Sequence, residues 1–223
     1  LQEAIGYRPE RDFAAVTLPI SAPNVIVVHP SLPVHTVKEL IAISSAKPGE
    51  LNYASGATGS ANHLGAELFK SMARVNIVQV NYKGTGAAMN DLISGQVHMM
   101  FANAASVSPH VKVGRLRALA VTSAQPSALT PGLPTVAASG LPGYESSSVW
   151  GVFAPAGTPA AIIGQLNRDM ANVLETPAIK QKFFAAGMEV VGSTPDALAA
   201  VVRNDMTRLG AVLSAARPAA EKR

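Results

Sequence analysis

Short apolar, β-branched segments alternate with segments of helical periodicity along most of this chain, and this alternation most restricts how it can fold. The run NVIVVHP at residues 24–30 predicts a buried strand, because it is apolar, β-branched and closed by a proline. The next segment predicts a helix that begins with a capping box formed by Thr36 and Glu39. The same order recurs downstream, which favours an α/β fold with a largely parallel sheet.

The remaining segments follow the same pattern. Strands are predicted at residues 51–55, 75–82, 96–103, 114–122 and 146–157, and helices at 60–73 and 86–95. Residues 1–20 predict a loop or a short helix. Thr-Pro pairs at 158–159, 176–177 and 194–195 each predict a helix start, since threonine caps helices and proline is tolerated at the first helical position.

The composition excludes several classes of protein. Cysteine is absent, which excludes disulfide frameworks, zinc ribbons and thiol nucleophiles. No apolar run approaches the roughly 18 residues that a membrane span needs, and the N-terminal stretch LQEAIGYRPERDF has no signal-peptide core. The net charge of +4 suits anionic ligands, but the basic residues are scattered and aromatic residues are few, which argues against nucleic-acid binding.

The stretch LNYASGATGSANHLGAELF at residues 51–69 carries the clearest chemical signal. A helix start leaves backbone N–H groups unpaired, and the helix dipole favours negative charge there. Glycines let the backbone approach a ligand, and hydroxyls add donors, so a carboxylate could bind without a lysine or arginine. The candidate residues are Ser55, Gly56, Thr58, Gly59 and Ser60.

There are two alternatives to a carboxylate site for this stretch, a purely structural turn and a nucleotide site. Ser60 can simply cap the helix while the glycines make a tight turn, and this alternative stays open. A nucleotide site is not indicated, because no Gly-Lys-Ser/Thr follows and the G-x-G-x-x-G spacing is missing.

Two further strand ends resemble the first junction. Tyr82, Lys83 and Gly84 follow a predicted strand, and parallel strands would place them at the same sheet edge, where ligands of open α/β sheets bind. Lys83 is either a charge partner for an anion or an ordinary surface lysine. Asn103 follows a third strand and either donates its amide to a ligand or caps a helix or Asx-turn.

Catalytic and metal-binding patterns are weak. The five histidines show no metal-ligand spacing, H-E-x-x-H is absent, and so is the nucleophile elbow G-x-S-x-G. His63 is the best candidate base for Ser55 or Ser60, but a histidine in the first turn of a helix is more often structural. No pair of carboxylates stands out, so we expect no enzyme, no metal and no cofactor.

An ordered set of motifs resembles the extracytoplasmic solute receptors of tripartite tricarboxylate transporters, the Bug (TctC-like) family. The motifs include YRPERDFAAV, VIVVHPSLPVHTVKELI, PGELNYASGATGSANHLGAELF, VNYKGTGAAMNDLISGQVHMMF and LPTVAASGLPGYESSSVWGVFAPAGTP. The resemblance implies a two-lobed, type II periplasmic-binding-protein fold whose cleft holds small carboxylates through backbone amides, hydroxyls and bridging waters. The family's cleft loop matches Ser55, Gly56, Thr58, Gly59 and Ser60, its YKG element matches Tyr82, Lys83 and Gly84, and Asn103 falls near the cleft.

The resemblance also implies an incomplete chain. Family members carry a longer region before the Y-x-P-x-R-D-F segment, with a signal peptide and two glycine-rich cleft loops that do not occur here. We therefore expect the end of lobe 1 and a hinge at 1–23, a complete α/β lobe 2 at 24–121, a return linker at 122–148 and a helix-rich C-terminal share of lobe 1 at 149–223. The lobe 1 helices should expose apolar faces, with weakened ligand binding or self-association as the consequence.

The expected function is that of a periplasmic receptor that captures a small carboxylate between its lobes for the membrane subunits of a tripartite transporter. Ser55, Thr58 and Ser60 would hold the anion together with backbone N–H groups between Gly56 and Ser60. The alternative is a ligand-sensing or degenerate binding module of the same fold, and an enzyme comes third. The sequence does not indicate which carboxylate is bound.

Overall fold

The computed structural model describes residues 6–216, with side chains up to residue 210, and these residues form two units. The first unit is built from the chain up to Ala22 and from Ser148–Ala211, and the second mainly from Pro23–Ser147. The helices are α1 (Pro9–Asp12), α2 (Val37–Ala46), α3 (Ala61–Ala73), α4 (Thr85–Ile93), α5 (Ala104–Lys112), α6 (Ala160–Leu174), α7 (Pro177–Ala185) and α8 (Pro195–Ala216). The strands are β1 (Phe13–Val28), β2 (Asn52–Ser55), β3 (Val78–Asn81), β4 (Met99–Asn103), β5 (Arg117–Val121), β6 (Ser147–Pro155) and β7 (Glu189–Val190).

The second unit is organised around a sheet with the strand order β3-β2-β4-β1-β5. Strand β2 pairs in parallel with β3 and β4, whereas β1 is antiparallel to both of its neighbours, β4 and β5. Four of these five strands therefore share one direction, as the alternating pattern predicts. The reversed strand β1 was not predicted, because strand direction depends on the path of the whole chain and not on local periodicity.

Helices cover both faces of this sheet. Along β1, Ile26 and Val28 join an apolar cluster that includes Phe69 of α3, while Val25 and Val27 join a second cluster that also holds residues of α4 and α5. Burial on both faces explains why the run is apolar without alternation.

The predicted capping box at the start of α2 is confirmed. Thr36 Oγ1 accepts from the N–H of Glu39 (3.1 Å), and Glu39 Oε2 accepts from the N–H of Thr36 (3.2 Å). These two bonds satisfy backbone donors that the helix itself leaves unpaired.

The three Thr-Pro pairs do mark the starts of α6, α7 and α8, but their threonines act differently. Thr194 Oγ1 accepts from the N–H of Ala197 (3.2 Å), whereas Thr176 stands at the N-cap of α7 without a side-chain capping bond. At the first pair, Pro159 itself is the N-cap, since its backbone is extended, and the helix begins one residue later at Ala160.

Two segments differ from the sequence expectation. Residues 1–20 were predicted as a loop or short helix, and residues 1–5 lie outside the described part of the chain. From residue 6 onward only α1 is helical in this segment, and β1 begins at Phe13 and buries Val16 and Leu18. The partners of this half of β1 are β6 and β7, which lie far along the sequence, so a local pattern could not show them. Helix α5 was also not predicted, and its sequence contains an internal proline, Pro109.

The proline- and glycine-rich region before β6 contributes to the core of the second unit. Val136, Leu141 and Tyr144 are buried in the same cluster as Phe69. Tyr144 also donates its hydroxyl to the carbonyl of Gly65 in α3 (2.9 Å). The predicted return linker therefore includes side chains that hold α3 in place.

The first unit exposes large apolar side chains, as expected from the resemblance. On α6, Ile162, Leu166 and Val173 are 51%, 42% and 56% exposed. Phe13 and Phe153 contact each other edge to face at 6.4 Å and are each 42% exposed. Self-association through such surfaces stays a prediction. None of the helices within residues 6–216 is both long and apolar enough to cross a membrane.

Replacement of Thr36 by alanine removes the hydroxyl that accepts from Glu39 N–H, and we expect the free energy of unfolding to fall by about 1 kcal/mol. Thr36→Ser keeps the hydroxyl at the same position and should retain most of the stability. Urea denaturation followed by circular dichroism measures both variants. Equal losses for alanine and serine would show that the capping bond does not contribute.

Candidate ligand-binding site

Three helices of the second unit begin at one edge of its sheet. Strands β3, β2 and β4 are adjacent and parallel, and each is followed directly by a helix. The carboxyl ends of parallel strands meet at the same edge, so the starts of α4, α3 and α5 follow this edge in that order. This confirms the prediction that the first two junctions share a sheet edge, and the structure adds the third junction to it. Each helix start adds partial positive charge there.

The loop between β2 and α3 uses only part of its backbone donors internally. Gly59 adopts a left-handed conformation (φ 87°) that suits glycine, and its N–H donates to His63 Nδ1 (3.2 Å). The N–H of Ser60 donates to the carbonyl of Ala57 (2.9 Å). Two of the predicted ligand donors are therefore occupied within the loop.

Other amides of this junction have no hydrogen-bond partner within residues 6–216. They belong to the first part of the loop and the first turn of α3, namely Gly56, Ala57, Thr58, Ala61 and Asn62. Ala57 and Thr58 are exposed to solvent, and Gly56, Ala61 and Asn62 are half-buried. The junction thus offers a row of backbone donors on which the helix dipole also acts.

The three predicted hydroxyls have different surroundings. Ser55 is buried, and its Oγ accepts from Gln79 Nε2 (2.7 Å) and donates to the carbonyl of Gly56 (3.1 Å), so this hydroxyl holds the loop. Ser60 Oγ is the N-cap acceptor for His63 N–H at 3.4 Å, which leaves its own proton to donate. Thr58 is exposed, and its hydroxyl has no partner among the described residues.

A buried polar network links helix α3 to strand β2 through Glu67 and Tyr53. Glu67 is 8% exposed, and its Oε1 accepts from the Tyr53 hydroxyl (2.7 Å) and from Lys70 Nζ (2.6 Å). Burial, and then the bond to Glu67, hold the pKa of Tyr53 well above its ordinary range. Lys70, the cation of this network, is thus paired with Glu67 of the same helix, so it is not an unpaired positive charge beside the loop amides.

His63 is a buried neutral acceptor in this arrangement. Burial lowers its pKa, the nearby Glu67 partly opposes that effect, and Lys70 adds to it. Because Nδ1 accepts from Gly59 N–H, the ring proton lies on Nε2. The structure brings His63 to the loop as the sequence predicts, but as a residue that fixes the loop backbone.

The second junction is tied to its own helix. The Tyr82 hydroxyl donates to Asp91 Oδ2 (2.7 Å), and burial together with this carboxylate raises the pKa of Tyr82 to about 12. Lys83 and Gly84 are exposed, and Lys83 has no ion-pair partner within the described part of the chain. Tyr82 therefore positions the turn, while Lys83 places a free positive charge near the edge.

The third junction shows the N-cap that the sequence left open for Asn103. Asn103 Oδ1 accepts from the N–H of Ala105 (2.9 Å) at the start of α5. Across the β1–β4 ladder it is paired with Asn24, which sequence patterns did not single out. Within residues 6–216, no group of three or more metal-ligating side chains is close enough to hold an ion.

Comparison with known proteins identifies the family to which this chain belongs. The sequence matches the family described as "Tripartite tricarboxylate transporter family receptor" over residues 1–217, and the chain belongs to that family. The family is a class of solute-binding receptors and not an enzyme class.

Three relatives illustrate the similarity. BugT of Bordetella pertussis is 35% identical over 213 residues, which cover 96% of this chain and 65% of BugT. The structure of R. palustris Rpa4515 with adipate is 37% identical, with a TM-score of 0.79 over 96% of this chain and 72% of that chain. MatC from Rhodopseudomonas palustris with bound malate is 26% identical, with a TM-score of 0.76 over 95% and 73% of the two chains.

These likenesses confirm the predicted fold class, an α/β periplasmic-binding-protein fold of the Bug type. The chain spans less than two thirds of the length of BugT. The similarity is thus to a part of the curated relative.

The lowered pKa of His63 makes the stability of the fold depend on pH. Below a pH of about 6.5 the unfolded chain binds a proton at His63, whereas the folded chain binds it only at lower pH. The contribution of neutral His63 to the free energy of unfolding is therefore fully present above that pH, and it is lost as the pH falls through the folded pKa. We expect the free energy of unfolding of the His63→Asn variant to change less between pH 7 and pH 5 than that of the wild type, since asparagine Oδ1 can accept from Gly59 without titrating.

Urea denaturation at the two pH values measures this difference. His35→Asn is the matched control, because His35 is exposed, and it should leave the pH dependence as in the wild type. An unchanged pH dependence in His63→Asn would contradict the assignment.

Proposed function

We propose that this chain is the ligand-binding part of a periplasmic receptor that captures a small carboxylate and passes it to the membrane subunits of a tripartite tricarboxylate-type transporter. The observation that carries the proposal is the row of unpaired backbone amides at the start of α3. Thr58 and Ser60 add hydroxyl donors beside them, while Ser55 positions the loop.

The electrostatics of this row favour an anion. A helix N-terminus stabilises negative charge by about 0.3–1 kcal/mol when exposed and by up to about 2 kcal/mol when partly buried. Each hydrogen bond from an amide to a charged oxygen adds about 1.5–3 kcal/mol. Lys70, the nearest cation of the α3 network, is engaged by Glu67, so the backbone supplies the attraction. Lys83 at the neighbouring junction adds longer-range attraction.

The ligands of two relatives agree with this chemistry. Rpa4515 was solved with adipate and MatC with malate, and both compounds carry two carboxylates. A carboxylate head is what unpaired amides and hydroxyls recognise, so we assign the same class of ligand to this chain.

Binding without turnover fits the ionisable groups of the site. The Nδ1 of His63 is occupied by Gly59, and Glu67 is occupied by Tyr53 and Lys70. The lone pair of His63 Nδ1 and the Oε1 of Glu67 are therefore used within the fold and not offered to a ligand as a base. We therefore propose a receptor, and recovery of every offered carboxylate unchanged after incubation would support it.

Proline substitution at the first helical position tests the amides directly. Proline is tolerated there and removes one N–H, and the preceding Ser60 and Gly84 already have the extended backbone that proline requires (ψ 157° and 159°). We expect Ala61→Pro to weaken carboxylate binding about tenfold, the loss of one charge-assisted hydrogen bond. Thr85→Pro makes the same change at α4 and should have a smaller effect.

Amide chemical shifts measured by NMR during titration with adipate, malate and the neutral diamide of adipate give the affinities. Shifts at Gly56, Ala57 and Thr58 with the acids and not with the diamide would support the site. Equal shifts with the neutral diamide, or none with any acid at millimolar concentration, would overturn it.

A further inference from the structure

Asn24 in β1 has a buried side-chain donor with no partner. The residue is 2% exposed, and its Nδ2 makes no hydrogen bond to any residue that the structure describes. Its backbone is fully used, because its N–H donates to Thr122 Oγ1 (2.9 Å) and its carbonyl accepts from both the hydroxyl (2.9 Å) and the N–H (2.8 Å) of Thr122. Folded proteins rarely leave a buried amide group unpaired, so Nδ2 calls for a partner beyond the described residues, such as a bound compound or an ordered water.

The position of Asn24 in the sheet connects it to the candidate site. Strand β1 is antiparallel to β4, so its residue 24 lies opposite Asn103, the last residue of β4. That places Asn24 at the same edge as the ends of β2, β3 and β4, where the three helices begin. In strand order it is two strands from Ser55, which is about 10 Å across the sheet at the usual strand spacing, and it lies two residues further along the strand direction.

Asn24 also lies on the face of the sheet that α3 covers. Side chains two residues apart on a strand lie on the same face, and Ile26 and Val28 join the cluster that contains Phe69 of α3. Asn24 therefore lies on the α3 side. Tyr53 belongs to that cluster too, so Ser55 shares this face. An unpaired donor thus stands on the side of the sheet where the free amides of α3 begin.

We propose that Asn24 is a ligand-binding residue whose Nδ2 donates, directly or through one ordered water, to a second oxygen of the bound compound. The proposal rests on the proposed function and extends it, because the α3 amides hold one carboxylate and Asn24 selects for a further acceptor. Since Nδ2 is a donor, it favours compounds with a second carboxylate over those that end in a methyl group.

The test compares dicarboxylates with the monocarboxylate of the same chain length, adipate with hexanoate and succinate with butyrate. In the wild type we expect tighter binding of each dicarboxylate by isothermal titration calorimetry. Asn24→Leu keeps the size of the side chain and removes the donor. The Kd of the preferred dicarboxylate should therefore rise about tenfold, while the Kd of the monocarboxylate of the same chain length should change less than twofold. Asn90→Leu, at an exposed position of α4, is the control and should change neither.

Stability separates a ligand role from a structural one. Replacement of an unpaired buried amide by an apolar group of similar size should leave the urea midpoint unchanged or raised. A lowered midpoint with unchanged ligand preference would overturn the proposal, and so would equal weakening of both acids. The Asn24 side-chain NH2 signal gives an independent measurement in the wild type, because it should shift with the dicarboxylate and not with the monocarboxylate.

The same measurements distinguish an error in the proposed function from an error in the role of Asn24. If no carboxylate of the panel binds the wild type, the receptor assignment falls and the role of Asn24 falls with it. If the dicarboxylate preference exists and survives Asn24→Leu, only the role of Asn24 is overturned.

Discussion

The parallel pairing of β2 with both β3 and β4 is the constraint on which the rest of the second unit depends. Because these strands run together, the helices that follow them all begin at one edge, and the unpaired amides of the α3 junction come to lie there. The antiparallel strand β1 then brings Asn24 to the same edge from the opposite direction. Every candidate donor of the site follows from this arrangement.

The charged and aromatic side chains that link α3 to β2 and to its own loop hold this junction in position. Glu67 links Tyr53 to Lys70, and His63 accepts from Gly59. Their hydrogen-bonding capacity at these atoms is used to place the helix and its loop. What remains at the junction is a set of backbone donors with the hydroxyls of Thr58 and Ser60 beside them, and we propose that these groups hold a carboxylate. This division is physically suited to a receptor, which must release its ligand unchanged.

Local patterns predicted much of the fold and part of the site. The capping box of Thr36, the part of β1 from Asn24 to Val28 and the junction around Gly59 depend on neighbours in sequence, so residue types and spacing reveal them. The first half of β1 pairs with strands far along the chain, and local patterns did not indicate it. The bond between Ser55 Oγ and Gln79, 24 residues away, cannot be seen in the sequence, so the sequence did not show that this hydroxyl is engaged within the fold.

The sequence by itself determined the alternation of strands and helices, the helix starts, the positive net charge and the family, because each of these depends on local composition or on motif order. Tertiary structure alone decided the direction of β1, which loop amides remain unpaired, and that Asn24 Nδ2 is buried without a partner among the described residues. These features depend on which distant groups meet. A hydrogen bond depends on distance and angle between two atoms, and only the folded chain sets them.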